Sequence, residues 1–301
     1  MLPKVSAIIT YYNEPADYLS RALSSILSQD YGNIEPIVVD DCSRIPFCGV
    51  EKHPDFRDKP VIWHRQTVNK GLAAARNAGM RVATGSLFCF LDADDWWEPS
   101  KVSRQVALFR ESPDRVGLFY TATVHHFPNG RTEFHDAPHS GDVSGELALR
   151  QAINGPSTVM IPKEVFTKVG VFNENFRVCE DLEMWLRISL EYEVRAVNQP
   201  LVHLLKREGS LSSDSLRIAL QGWEILRIHR KTLTERGLWN RAVSTYEGRL
   251  AKVYLLDRKP MLALSHILSS IAYDPLHSIR LTAKKILWEK LEPRPKHNPI
   301  H

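Results

Sequence analysis

Short runs of apolar, mostly β-branched residues recur along the first third of the chain, and helical patterns separate them. The runs are VSAIIT at residues 5–10, IEPIVV at 34–39 and SLFCFL at 86–91, with a shorter one at 61–64. Such runs are typical of strands buried on both faces of a parallel sheet. The spacing of Leu19, Leu23 and Ile26 predicts a helix between the first two, and others are predicted at about 72–83 and 99–110. This alternation predicts an α/β fold with a mostly parallel sheet and right-handed crossovers.

The pattern changes after residue 112. Strands are predicted at 117–125, 131–135, 157–161, 193–197 and 201–205, and a helix at 180–190. From about residue 214 the chain reads as helices broken near Gly237, Lys259-Pro260 and Asp274-Pro275. The last ten residues are predicted to be a frayed tail. The sequence therefore divides into segments 1–112, 113–212 and 213–301.

Aspartates follow two of the predicted strands. Asp40-Asp41 ends the strand at 34–39, and Asp92, Asp94 and Asp95 follow the strand at 86–91. Ligands of open α/β sheets bind beyond the carboxyl ends of the strands. Clustered carboxylates repel one another unless a cation or a donor balances them, and oxygen ligands suit Mg²⁺ or Mn²⁺. The alternatives are an acidic helix-capping turn at 92–95 and an Asx turn at Asp41.

Other charged side chains have a functional and a structural interpretation. Glu180-Asp181 opens a predicted helix, where carboxylates also favour the positive end of the dipole. Because successive helix positions diverge by about 100°, one of the two should face the substrate and the other a structural donor or the backbone. Arg76 either faces phosphates or is solvated. Arg207 lies in a basic loop at 206–212, which either covers a diphosphate or is an ordinary connector. Asn13 or Glu14 is predicted to cap the first helix.

The net charge of +4 is unevenly distributed. Residues 216–301 hold 16 Lys and Arg against 7 Asp and Glu, a net charge of +9, and the rest of the chain has a net charge of −5. A basic tail suggests nucleic acid or an anionic membrane as partner, and the alternative is a solvated helical face. The apolar residues of the stretch 223–228 predict a helix side that docks on an anionic inner leaflet. No run of about 18 apolar residues is present, so a cytoplasmic location, with peripheral membrane contact as a further hypothesis, is expected.

Several segments in a fixed order resemble the inverting family 2 glycosyltransferases of GT-A fold. They are VSAIITYYNE, IVVDDCS, NKGLAAARNAG, FLDADDWWEP and FNENFRVCEDLEMWLRI, and the resemblance covers roughly residues 3–212. It implies an α/β fold in which helices flank a mostly parallel nucleotide-binding sheet. Segment 1–112 is then the nucleotide-sugar-binding half, 113–212 the acceptor-binding and catalytic-base half of the same domain, and 213–301 a basic helical extension.

The resemblance also implies roles for individual residues. Mn²⁺ or Mg²⁺ is expected at Asp94 or Asp95, and Asp181 is expected to be the catalytic base, with Glu180 as the alternative. The base, ribose and phosphates of the donor are expected to contact residues from strand ends and loops, namely Thr10, Tyr12, Glu14, Asp41, Arg76, Asp92 and Arg207.

The expected reaction transfers a sugar from a nucleotide donor, a UDP-sugar first, to a hydroxyl of a glycan or lipid-linked saccharide in cell-envelope polysaccharide synthesis. It is a metal-assisted single displacement with inversion. A nucleotidyltransferase would need a Gly-rich basic loop directly after the first strand, where this chain has Thr10-Tyr11-Tyr12-Asn13-Glu14. A Rossmann dehydrogenase would need G-x-G-x-x-G and a P-loop enzyme G-x-x-x-x-G-K-[ST], and neither motif is present. A non-catalytic sugar-nucleotide-binding partner of a glycan assembly complex is the other alternative, and the intact Glu180-Asp181 and Asp92/Asp94 pairs argue against it. No nucleic-acid partner is expected, since the tryptophans of the tail stand at core-like helical positions.

Overall fold

The computed structural model describes residues 2–207 and 214–279. The chain divides into two compact units, Met1–Ser213 and Asp214–His301. Two predictions, the loop beyond Arg207 and the frayed tail at 292–301, lie outside the described residues.

The first unit begins with the predicted parallel sheet. Its strands and helices are β1 (Val5–Tyr11), α1 (Ala16–Leu27), β2 (Ile34–Asp40), β3 (Ile62–Arg65), α2 (Leu72–Val82) and β4 (Leu87–Asp92). The strands pair in parallel in the order β3-β2-β1-β4. Every residue of β1 is buried, as the apolar runs predicted. Helix α1 buries Leu19, Leu23 and Ile26, so the predicted helical face is confirmed.

The rest of this unit extends the same sheet. Its elements are β5 (Trp96–Trp97), α3 (Lys101–Arg110), β6 (Val116–His126), β7 (Thr132–His135), α4 (Ser144–Leu149), β8 (Met160–Pro162), α5 (Lys163–Val169), α6 (Glu180–Ser189) and β9 (Glu193–Leu205). Antiparallel pairing of β8 with β4 and with β6 continues the sheet, and β6 pairs in parallel with β9. The predicted α/β fold with a mostly parallel sheet is confirmed.

Two predictions for this region are wrong in detail. The stretch predicted as a strand at 157–161 begins as a 3₁₀ turn, Pro156–Thr158, and only then enters β8. The two closing strands predicted at 193–197 and 201–205 are one strand, β9, because register shifts beside β6 absorb the polar residues between them.

Helix α2 lies very close to the sheet, and this position matters for the site. Its Gly79 faces β1, where a Cβ atom would overlap the side chain of Ile8. The missing side chain therefore lets the helix approach the strand and bury Arg76 one turn earlier.

The second unit is helical. It contains α7 (Ser215–Ile228), α8 (Arg230–Glu235), α9 (Trp239–Leu256) and α10 (Pro260–Tyr273). The predicted breaks near Gly237 and Lys259-Pro260 are confirmed, and α10 ends at Asp274 as predicted. A further break at His229 was not predicted. No helix among the described residues is long and apolar enough to cross a membrane.

The membrane-docking prediction for α7 is wrong. Ile225 and Leu226 are each 1% exposed, so neither is free to enter a lipid surface. Trp223 donates from Nε1 to Glu247 Oε1 at 2.6 Å, so it is held within the same unit. These side chains pack against the protein, and only Ile228 of the predicted run is exposed.

Candidate active site

The polar ends of β1 and β4 lie side by side. The register pairs Thr10 with Asp92, the last residue of β4. Thr10 Oγ1 donates to Asp92 Oδ1 at 3.1 Å. Because the parallel strands end at one edge, residues that are 82 positions apart begin a common polar surface there.

Arg76 joins this edge to the start of α6. Its side chain is 1% exposed, so the interpretation of Arg76 as a solvated residue is wrong. Arg76 Nη2 donates to Asp92 Oδ1 at 2.9 Å, and Nη1 donates to Glu180 Oε1 at 2.6 Å. Burial lowers the pKa of a guanidinium, but these two carboxylates outweigh that effect and raise the pKa of Arg76. The residue is a fully charged buried link between the two acidic motifs.

Glu180 and Asp181 point in different directions, as the helical geometry predicts. Glu180 faces the structural donor Arg76. Asp181 Oδ2 instead accepts a hydrogen bond from Gln151 Nε2 at 2.7 Å, and its Oδ1 accepts one from the backbone N–H of Leu182. The preceding Cys179 has a φ of 59°, and this left-handed turn sets the direction in which α6 begins.

The pKa of Asp181 is raised to about 7. Burial is the main cause, and the neighbouring charge of Glu180 adds to it, whereas Arg76 opposes the shift. A carboxyl group with a pKa near neutrality can gain and lose a proton under physiological conditions.

Asp94 and Glu14 share one arginine. Arg207 forms a bidentate pair with Glu14, with N–O distances of 2.7 and 2.9 Å, and its Nη2 lies 2.5 Å from Asp94 Oδ2. Burial and the charge of Asp92 raise the pKa of Asp94, and Arg207 partly offsets this. Arg21 donates to the carbonyl of Asp94 at 2.7 Å and fixes the backbone of the acidic turn.

Asp95 is turned into the protein. It is 6% exposed, and its carboxylate accepts from Ser157 Oγ at 2.6 Å and from the backbone N–H of Leu205 at 3.1 Å. Burial, with the charges of Asp94 and Asp92, raises its pKa well above the ordinary value. Both oxygens of Asp95 therefore hold β9 and the 3₁₀ turn in place.

Asp41 is also engaged by the protein itself. Its carboxylate accepts from Gln66 Nε2 and from the backbone N–H groups of Lys70 and Gly71, at 2.7–2.8 Å. Gly71 has a φ of 90° and immediately precedes α2. Asp41 thus positions the start of the helix that carries Arg76.

The turn after β1 differs from the prediction. Pro15, and neither Asn13 nor Glu14, directly precedes α1, and no side chain caps that helix. Asn13 has a φ of 54°. Its Oδ1 accepts a hydrogen bond from the backbone N–H of Arg44 at 2.8 Å. Tyr12 is 47% exposed at this turn.

Known proteins resemble this chain in sequence and in fold. Residues 6–175, more than half of the chain, match the family described as Glycosyl transferase family 2. The chain belongs to this family. A Bacillus subtilis relative named as a putative teichuronic acid biosynthesis glycosyltransferase, TuaG, is 28% identical over 232 residues, which cover 75% of this chain and 90% of the relative.

Two solved structures show that this glycosyltransferase has the GT-A fold. Staphylococcus aureus TarS 1-349 in complex with UDP-GlcNAc is similar with a TM-score of 0.60 at 16% identity, covering 89% of this chain and 91% of that one. A Pyrobaculum calidifontis mannosyltransferase in complex with GDP-Man and Mn²⁺ gives a TM-score of 0.61 at 20% identity, covering 97% and 82%.

The charges of the glycosyltransferase site suit a divalent cation. Arg76 lies between Asp92 and Glu180, and Arg207 between Glu14 and Asp94. Four carboxylates therefore face these two guanidinium groups, and Arg21 lies beside the same acidic turn as a third cation, so the carboxylates still outnumber the cations. Among residues 2–207 and 214–279 no three His, Cys, Asp or Glu side chains are arranged to hold a metal by themselves. Mg²⁺-type sites commonly use one or two carboxylates and complete the shell with substrate phosphates, and the residues present fit that type.

Sequence reasoning missed two residues of the site. Gln151 lies in a loop that follows α4, and Ser157 lies in the turn mistaken for a strand. Ser157 Oγ accepts from the backbone N–H of Asp92 at 3.1 Å and donates to Asp95. Neither residue stands in a periodic pattern or a motif, so only their contacts identify them.

Proposed function

We propose that the chain transfers a sugar from a nucleotide diphosphate donor to a hydroxyl of a glycan or lipid-linked saccharide, with inversion at the anomeric carbon. A UDP-sugar is the first candidate for the donor. The observation that carries the proposal is the Arg76 bridge between Asp92 and Glu180. It ties the acidic end of the donor-binding sheet to the helix start that carries Asp181. A donor and a base held on one rigid frame are what a single displacement requires.

The nucleotide end of the donor is proposed to lie along the strand ends that carry Thr10 and Asp92. Tyr12, Glu14, Asp41, Arg76 and Arg207 complete the proposed set. The hydrogen bond between Thr10 and Asp92 and the Arg207–Glu14 pair support it, because they gather these residues at one edge. The similar TarS and mannosyltransferase structures hold UDP-GlcNAc and GDP-Man, which is consistent with a nucleotide donor here.

We assign the metal to Asp94 rather than Asp95. Both oxygens of Asp95 accept hydrogen bonds within the protein. Asp94 is instead paired through Oδ2 with Arg207, whose side chain is 36% exposed. Mn²⁺ or Mg²⁺ bound there with the donor would neutralise the charge that develops on the leaving diphosphate. Arg207, released from Asp94, would remain paired with Glu14 and face the same phosphates.

The base is proposed to be Asp181. A sugar hydroxyl is a poor nucleophile until a nearby carboxylate takes its proton, and a pKa of about 7 suits that transfer. Gln151 holds the accepting carboxylate in one orientation. Glu180 is already neutralised by Arg76 and is the alternative base.

The biological setting is proposed from the relatives. TuaG is named for teichuronic acid biosynthesis, and this supports a role in cell-envelope polysaccharide synthesis at the cytoplasmic side.

A binding screen followed by a turnover assay tests the proposal. A nucleotide sugar present with Mn²⁺ at about 100 times its dissociation constant should stabilise the protein by roughly 2.7 kcal/mol. The stabilising donor should then be hydrolysed slowly, and the sugar first released should have the inverted anomeric configuration by NMR. Asp181→Asn is the control, and it should bind the donor yet release little sugar. Donor binding without any release by the wild-type protein would favour the non-catalytic partner instead.

A further inference from the structure

Two polar side chains of helix α10, His266 and Ser270, face α9. His266 Nδ1 lies 2.7 Å from Glu247 Oε2 of α9, and Ser270 Oγ donates to the carbonyl of Ser244 at 2.8 Å. The buried residues of α10 are Ala263 and Ser270. A surface helix of a globular protein normally buries its large apolar residues and exposes its polar ones. The distribution in α10 is the reverse.

The opposite side of α10 is apolar and exposed. We define the outer face of α10 as Met261, Leu264, Leu268 and Ile271, which recur at helical spacing and form one stripe. Met261 is 77% exposed and Leu268 59% exposed. Further exposed apolar side chains lie just before α10 at Leu255 and Leu256, within it at Leu262, and just after it at Leu276 and Ile279. Large apolar side chains exposed in this number are typical of an interaction site.

Charge decides which partner this face suits. The 14 residues of α10 include no Asp, Glu, Lys or Arg, whereas Lys252, Arg258 and Lys259 just before it are exposed. The sequence after residue 279 adds Arg280, Lys284 and Lys285, and residues 216–301 have a net charge of +9. A second copy would bring two positively charged surfaces together, but an anionic lipid surface complements both the apolar face and its basic surroundings.

We propose that the outer face of α10 docks on an anionic lipid bilayer and lies in the plane of its interface. A helix of 14 residues is about 21 Å long, and spanning the hydrocarbon core takes about 20 residues. Tyr273, 38% exposed at the end of the helix, has the amphipathic ring typical of such interfaces. The inference concerns the second unit alone and does not rest on the proposed reaction.

Vesicle flotation of the full chain tests the proposal. Wild-type protein should float with vesicles that contain phosphatidylglycerol and phosphatidylcholine, and added salt should reduce its recovery. Vesicles of phosphatidylcholine alone should recover much less. The combined Met261→Gln, Leu264→Gln and Leu268→Gln variant should lose at least about tenfold in recovery. The matched control combines Leu220→Gln and Ile228→Gln, two α7 side chains that are each 49% exposed, and should float like the wild type.

A charge variant provides an independent measure. Lys252→Glu with Arg258→Glu keeps the apolar face and should lose most of the preference for phosphatidylglycerol. Wild-type recovery by the α10 variant, or equal recovery on neutral and anionic vesicles, would overturn the proposal. So would a wild-type protein that binds no vesicle and forms a dimer that the α10 substitutions dissociate in light scattering, since a second copy would then cover the face.

Discussion

Arg76 Nη1 lies 2.6 Å from Glu180 Oε1, although the two residues are 104 positions apart and come from different helices. Both side chains are buried, and the same guanidinium also holds Asp92. A pair of this kind couples the structure of the donor-binding edge to that of the helix that carries Asp181.

Replacing Arg76 by Met should lower the free energy of unfolding by about 3 kcal/mol or more, because it leaves Glu180 buried without a cation. Urea unfolding measures the loss. The matched control is Arg104→Met, since Arg104 is exposed on α3 and its loss should change stability by less than about 0.5 kcal/mol. Equal stability of the two variants would show that the Arg76 bridge does not contribute to the free energy of unfolding.

The raised pKa of Asp181 predicts two opposite pH trends. Activity needs the ionised carboxylate, so kcat/KM should rise with pH through about 7. Stability should move the other way, because the folded protein holds this proton more tightly than the unfolded chain, whose pKa is near 3.9. The contribution of this proton to the free energy of unfolding is fully present below about pH 4 and is lost as the pH rises through 7. Asp181→Asn should therefore gain stability relative to wild type over that range, and a constant difference would contradict the assignment.

Gln151 should act through Asp181. Its amide stabilises the ionised carboxylate, so Gln151→Leu should raise the pKa of Asp181 further and move the midpoint of the pH–rate profile upward. The turnover number should fall while the KM of the donor stays unchanged. Gln151→Asn, which keeps an amide on a shorter side chain, should restore part of the turnover. An unshifted midpoint together with lower stability would leave Gln151 with a structural role only.

Asp94 and Asp95 should respond differently to substitution. Asp94→Asn should remove the increase in UDP affinity that Mn²⁺ gives to the wild type, measured by calorimetry with and without a chelator. Asp95→Ala should instead lower the free energy of unfolding by about 1–3 kcal/mol, because Ser157 and the N–H of Leu205 lose their acceptor. UDP affinity that is independent of Mn²⁺ in the wild type would refute the metal assignment.

The sequence predicted the strands of the parallel half well, because buried parallel strands such as β1 need continuous apolar residues and leave a strong signal. It also placed Asp92 at the end of a strand and Glu180 at the start of a helix. The Arg76–Glu180 contact could not be predicted, since nothing in the local sequence shows which helix packs over which strand.

The same limit explains why the apolar side of α7 was expected to be exposed. Both α7 and α10 carry apolar residues at helical spacing, but tertiary packing buries Ile225 and Leu226 and leaves Met261 and Leu268 exposed. A helical pattern identifies an apolar side and not what covers it. Gln151 and Ser157 were missed because their roles depend on contacts across 30 and 62 positions of sequence.

The central claim is that Asp181 is the catalytic base. The most direct test compares the turnover of Asp181→Asn with that of Glu180→Gln and measures the UDP affinity of both variants. Asp181→Asn should lose a factor of roughly 10² to 10⁴ in turnover while UDP affinity stays close to that of the wild type. Glu180→Gln should lower stability and keep more of the turnover, since its carboxylate serves Arg76. If Asp181→Asn keeps more than about a tenth of wild-type turnover while Glu180→Gln is inactive, the base is Glu180. If both variants lose UDP binding alike, the pair is structural and the account of the site is wrong.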